Sequence, residues 1–160
     1  MKQSVLYAED DENDAYFMRR VFVKAGLPHS LHIVENGQLA IDYLAGNGDF
    51  ADRTRHPLPS LVLLDVKMPY LTGLEVLQWI RQHTEFDAIP VIMLTSSNQE
   101  RDLREAHALH ANGYILKPAN AENLIAPLRS LLARADDTSP PFSNRWLNFT
   151  GNLQPPLHQH

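Results

Sequence analysis

Four consecutive apolar residues, Leu61-Val62-Leu63-Leu64, run straight into a carboxylate, Asp65. A strand with one face in water alternates apolar and polar residues. A run without alternation reads as a strand buried on both faces, as in the middle of a parallel sheet. Asp65 then sits at the carboxyl end of that strand, the end beyond which open α/β sheets bind their ligands. Val66-Lys67-Met68-Pro69 cannot extend the strand, because Pro69 has no N–H and restricts Met68. The expected result is a carboxylate held on a short loop at the rim of a rigid sheet.

Similar short apolar runs recur along the chain. Val5-Leu6-Tyr7-Ala8 ends in the acidic stretch Glu9-Asp10-Asp11-Glu12-Asn13-Asp14, and Leu31 to Val34 forms a second strand. Pro90 to Thr95 ends in a hydroxyl, and Gly113-Tyr114-Ile115-Leu116 ends at Lys117-Pro118. Helical spacing fills the intervals. Phe17, Met18, Val21 and Phe22 stop at Gly26; Leu39, Ala40, Tyr43 and Leu44 follow an Asn36-Gly37 turn. Thr72 with Glu75 and Ser97 with Glu100 fit capping boxes ahead of two more helices. Asn120 can cap a last helix carrying Leu124, Leu128, Leu131 and Leu132. Pro127 falls inside that helix, where it removes the bond to the Asn123 carbonyl and predicts a bend. Asn47 to Ser60 keeps no apolar period and reads as an exposed loop.

Five strands alternating with five helices predict an α/β fold, a parallel sheet with helices on both faces. Right-handed crossovers leave few topologies, and the flavodoxin-like order 2-1-3-4-5 is the one expected for five strands. In that order Glu9, Asp10, Asp65 and Thr95 share one rim, and Lys117 arrives from the edge strand.

At 160 residues the chain suggests one domain, over residues 1–135, with an extension over 136–160. The extension opens with a linker-like Asp136-Asp137-Thr138-Ser139-Pro140-Pro141 and then carries Phe142, Trp146, Leu147 and Phe149. It is too short for an independent output domain. It either packs on its own domain or is partly disordered, or else serves as an arm that docks its aromatics on a second subunit. The net charge of −5 argues against a general nucleic-acid surface. There are no cysteines, which excludes disulfides and thiolate metal sites and fits a reducing compartment. No apolar run approaches the ~20 residues of a membrane span, and no signal-peptide pattern opens the chain, so the expected location is the cytoplasm.

The chemistry of the rim follows from residue types. Glu9, Asp10 and Asp65 would repel one another unless a cation neutralised them. No histidine or cysteine accompanies them, and all-oxygen ligation suits a hard cation such as Mg²⁺, which commonly takes one or two carboxylates, waters and a phosphate oxygen. With Lys117 and the Thr95 hydroxyl nearby, the set is arranged to meet a phosphoryl group, and Asp65 is the natural nucleophile. Asp11, Glu12 and Asp14 read as a solvated helix start, favourable to the helix dipole, rather than as further ligands.

Glu9-Asp10, Asp65 with Met68-Pro69 and Gly73, Thr95-Ser96, and Tyr114 with Lys117-Pro118 together resemble the receiver domain of two-component response regulators. The resemblance spans roughly residues 4 to 134. It implies that Asp65 accepts phosphate from a histidine kinase. It implies a Mg²⁺ site of Glu9, Asp10, Asp65 and the Lys67 backbone carbonyl. It also implies that Thr95 contacts the phosphoryl group, that Tyr114 swings inward behind it, and that Lys117 pairs with it through a cis Lys117–Pro118 bond. The Asn47 to Ser60 loop, the stretch Ile89 to Ser97, and His110-Ala111-Asn112-Gly113-Tyr114 are similar to the small regulators paired with bacterial phytochromes. That narrower resemblance implies a bacteriophytochrome kinase as partner and a homodimer built through the last helix and the extension.

Two other function classes stay open on the residues alone. A phosphate-independent adaptor would use the same fold without the chemistry. An aspartyl-phosphate phosphohydrolase usually carries a second aspartate two residues past the nucleophile, where this chain has Lys67. Tyr114 can also be an ordinary edge-strand aromatic, but the switch reading is preferred because Thr95 should lie near it. His107 and His110, three apart, could bind a metal only with a third ligand that the sequence does not supply.

Overall fold

A computed structural model describes residues 3–96, 100–117, 122–135 and 147–148. Six parallel strands form one sheet: β1 (Ser4–Ala8), β2 (Ser30–Val34), β3 (Leu61–Leu64), β4 (Val91–Thr95), β5 (Gly113–Leu116) and β6 (Leu147–Asn148). Their order is β2-β1-β3-β4-β5-β6, so the five-strand order 2-1-3-4-5 stands and the extension adds one short strand at the β5 edge. There Leu147 lies opposite Gly113 and Asn148 opposite Tyr114. The expected Phe142, Trp146 and Phe149 contacts lie outside the described residues.

Five helices connect the strands: α1 (Glu12–Ala25), α2 (Gly37–Ala45), α3 (Gly73–Arg81), α4 (Glu100–Ala108) and α5 (Glu122–Ala135). Because successive strand residues point to opposite faces, the sheet has two cores. Leu6, Ala8, Val62, Leu64, Met93 and Tyr114 pack with α2, α3 and α4. Val5, Tyr7, Leu61, Leu63, Ile92 and Ile115 pack with α1 and α5. All four residues of β3 are fully buried, each worth roughly 1.5–3 kcal/mol relative to exposure. No described helix is long and apolar enough to cross a membrane.

Local signals set the helix ends. Asp11 caps α1 by accepting from the amides of Asn13 and Asp14, and Gly26 ends it in the left-handed region at φ 63°. Thr72 and Glu75 form the reciprocal capping box of α3. Asn36 and Gly37, expected as a turn, instead begin a helix: the Asn36 side chain accepts from the Leu39 amide at 2.8 Å as the cap of α2. The expected caps Ser97 and Asn120 lie outside the described residues. The chain stays helical through Pro127. The carbonyl left unbonded by that proline belongs to Asn123, an exposed residue, where solvent is at hand.

The Asn47 to Ser60 loop is more ordered than its polarity suggests. Arg53 donates to the carbonyls of Tyr43 (2.8 Å) and Leu44 (2.7 Å), in the last turn of α2, and also to that of His56 (3.2 Å). Phe50 and His56 stack edge-on at 5.2 Å and both pack against the ring of Tyr43. A single cation thus folds the loop back onto the helix it leaves.

Gly73 has a steric reason to be glycine. A β-carbon there would overlap the carbonyl oxygen of Asp65 and crowd the Met93 methyl. Its amide donates to the Val66 carbonyl at 2.8 Å, closing the loop after β3 against the start of α3. Gly73→Ala is therefore expected to lower stability by roughly 1–3 kcal/mol, the usual penalty for overpacking, read as a fall in thermal midpoint.

Candidate functional site

The parallel register builds the site. Ala8 lies opposite Leu64, so the next residues, Glu9 and Asp65, leave the sheet side by side. The ladder extends one step past both strands, with the Asp65 amide on the Ala8 carbonyl (3.2 Å) and the Glu9 amide on the Val34 carbonyl (2.9 Å). Thr95 ends β4 opposite Leu116, and Lys117 follows Leu116. Strand ends from β1, β3, β4 and β5 thus meet at one rim.

Three carboxylates converge there. Ligand oxygens of Glu9, Asp10 and Asp65 lie within 4.8 Å of one another, with Glu9 and Asp65 buried and Asp10 exposed. Lys117 enters from the other side. Its ammonium donates to Glu9 Oε1 at 2.6 Å and to Asp14 Oδ2 at 2.7 Å, and reaches Asp65 Oδ2 at 3.5 Å. Glu9 is further held by the Tyr7 hydroxyl (2.7 Å) and the Asp11 amide (3.2 Å). Its carboxylate is therefore fixed before any ligand arrives.

The electrostatics report crowding that one lysine only partly relieves. The Asp65 carboxyl is pushed up to about 7: burial raises it, Lys117 pulls it down, and Glu9 raises it again. Burial alone would depress Lys117, but its bonds to Asp14 and Glu9 and the charge of Asp65 hold it above the ordinary lysine value. It stays an ammonium. The Tyr7 phenol is held far above its usual range by burial and then by Glu9, so it remains a donor. All-oxygen donors, two of them buried and one open to solvent, fit a hard divalent cation; nothing in the set favours a soft one.

Lys67, whose backbone carbonyl is an expected metal ligand, is exposed on the loop two residues past Asp65. Tyr114, expected to swing inward, is already fully buried, opposite Met93. Burial first, then the charges of Asp102 and Asp65, raise its phenol. The Lys117–Pro118 bond lies outside the described residues. His107 is in α4, whereas His110 lies past its end at φ 67° with its carbonyl bound by Arg81, so the two do not share a helix face.

Two contributors are missing from the sequence reading. Tyr7 carries a legible signal, since it precedes Glu9 by two and strand residues at that spacing share a face. Asp14 is not merely a solvated helix start: it grips Lys117 from 103 positions away, a contact no local pattern announces.

The family model "Response regulator receiver domain" matches residues 5–129, and the chain belongs to that family. Its structural neighbours include response regulators of phytochromes. The crystal structure of RPA3017, described as in red light signaling of R. palustris, superposes with a TM-score of 0.79 at 34% identity, over 87% of this chain and 97% of that one. The phosphorylated cyanobacterial phytochrome response regulator RcpA gives 0.76 at 28% identity, over 88% and 99%. Response regulator Rcp1 of Synechocystis is 32% identical over 79% of this chain and 84% of its own, and its Mn²⁺-bound form superposes with a TM-score of 0.72.

The Asp65 shift has a pH signature. Its folded value, about 7, exceeds the ordinary 3.8, so the folded state favours the proton. That contribution to stability is complete below the ordinary value and is lost as pH rises through about 7. With divalent cations chelated, Asp65→Asn is expected to raise the melting midpoint at pH 8 by several degrees, roughly 3–8 °C. The gain shrinks towards nothing near pH 4, because the wild-type carboxyl is then protonated too. Melts of the two proteins across this range check it.

Proposed function

We propose that Asp65 accepts a phosphoryl group from the phosphohistidine of a sensor histidine kinase and that the adduct switches binding to a downstream protein. The observation that carries this reading is the meeting of a buried carboxylate, two further carboxylates and one ammonium at a single sheet rim. Glu9, Asp10, Asp65 and the Lys67 carbonyl would hold Mg²⁺; a divalent site of this kind has support in the Mn²⁺-bound form of Rcp1. When bound, that ion supplies positive charge to the carboxylates and to the phosphoryl oxygens.

The remaining roles fall to the chain's own side chains. An Asp65 oxygen, desolvated and held by the rim, forms the bond to phosphorus as the P–N bond to the kinase histidine breaks. Lys117, already 3.5 Å from Asp65 Oδ2, stabilises charge on one phosphoryl oxygen, and the Thr95 hydroxyl donates to another. Tyr114 and Asp102 lie under the face formed by α4 and β5, where a shift at Thr95 would be felt. Beyond phosphorylation and dephosphorylation of itself, the protein turns over no substrate. A bacteriophytochrome kinase is the proposed donor, supported by RPA3017 and RcpA. A homodimer through α5 and residues 136–160, and a cytoplasmic location on the ATP side of the kinase, complete the reading.

Acetyl phosphate or a red-light-controlled bacteriophytochrome kinase should label the wild-type chain with hydroxylamine-labile phosphate, and Asp65→Asn should take up at least about a hundredfold less. Labelling of that variant within about tenfold of wild type would mean another residue is the acceptor.

A further inference from the structure

Lys117 has three N–H donors and three carboxylates around it, but they are not equally matched. The short bonds go to Glu9 (2.6 Å) and Asp14 (2.7 Å); the distance to Asp65, 3.5 Å, is at the outer edge of hydrogen-bond reach. A third N–H is left for Asp65, but the ammonium must move closer to hold a phosphoryl oxygen there at full strength, and that movement lengthens one of the two short bonds. Glu9 is the poor candidate. Its side chain is 1% exposed, and Tyr7 and the Asp11 amide already hold it, so losing the lysine would strand a buried charge. Asp14 is the easy one: its side chain is 41% exposed, and water can replace the ammonium there.

A cavity of about 40 Å³ lies beside the lysine stem on its Asp14 side, lined by Tyr7, Phe17, Met18, Leu94 and Leu124 along with Asp14 and Lys117, so the stem is not tightly packed there. Asp14 itself is firmly placed, in the first turn of α1 with its amide on the Asp11 cap at 3.2 Å.

We infer that Asp14 is a positioning residue that holds the Lys117 ammonium back from Asp65 in the unphosphorylated state and competes with the phosphoryl group for it afterwards. This rests on the reading of Asp65 as phosphoryl acceptor. The competition shortens the life of the adduct and biases the resting protein against the switched state. Glu12, in the same turn of α1, has no recorded contact with Lys117 and serves as a charge control.

Two measurements on the full chain test it. In the first, made without phosphate, hydrogen exchange at the Lys117 ammonium is followed by ¹⁵N NMR. Asp14→Asn should speed exchange roughly three- to tenfold, Asp14→Glu should restore most of the protection, and Glu12→Gln should leave it unchanged. In the second, the half-life of acetyl-phosphate-derived adduct should lengthen roughly three- to tenfold in Asp14→Asn and stay within about twofold in Glu12→Gln. Unchanged ammonium exchange in Asp14→Asn overturns the inference whatever the phosphate data. So does an adduct half-life that is unchanged or shorter, or a Glu12→Gln effect of equal size. If exchange responds as expected but wild type takes up no phosphate at Asp65, it is the acceptor assignment that fails, and Asp14 remains the lysine's holder.

Discussion

The ammonium of Lys117 is the contact on which the rim depends. Glu9 and Asp65 are 2% and 8% exposed, and buried carboxylates without a counter-charge take up protons or force the structure apart. One lysine from the far strand lets both persist, and it is itself kept charged by the acids it neutralises. The balance is incomplete, since Asp65 remains pushed up to about 7. The site is thus short of positive charge, a deficit of the kind that a hard divalent cation relieves.

The sheet supplies the precision this contact needs. Parallel strands in fixed register deliver Glu9 and Asp65 as neighbours, and one-residue slippage would send every side chain to the opposite core. Fully buried strands make such slippage costly. At the rim, Gly73 lets the start of α3 approach the Asp65 carbonyl closely; at the opposite edge of the sheet, Arg53 and Arg129 cap the ends of α2 and α1 from other parts of the chain.

Tyr114 is enclosed opposite Met93, with the charge of Asp102 on α4 bearing on its phenol. The same strand carries β6 on its outer edge, with Asn148 opposite Tyr114. A residue buried beside the acidic rim and an edge occupied by the extension therefore share four residues of β5. The phytochrome response regulator RcpA shares the fold.

What could be read directly from residue order was whatever local chemistry controls. Unalternating apolar runs marked the strands, Thr72 with Glu75 marked a helix start, Gly26 a helix stop, and a carboxylate straight after Leu64 marked the rim. Each depends on a few neighbouring residues, and topology rules then left few sheet orders, of which 2-1-3-4-5 is the commonest for five such strands. The third dimension decided what depends on long-range approach. Asp14 looked like an ordinary acidic first turn until Lys117 arrived from β5. The polar loop after α2 is held by Arg53 and by the rings of Phe50 and His56 on Tyr43, and Asn36 caps α2, whose first residue, Gly37, lies against Leu71. A side chain's partner across the sheet is set by register and packing, and no period in the sequence encodes the distance between an ammonium and the acids that share it.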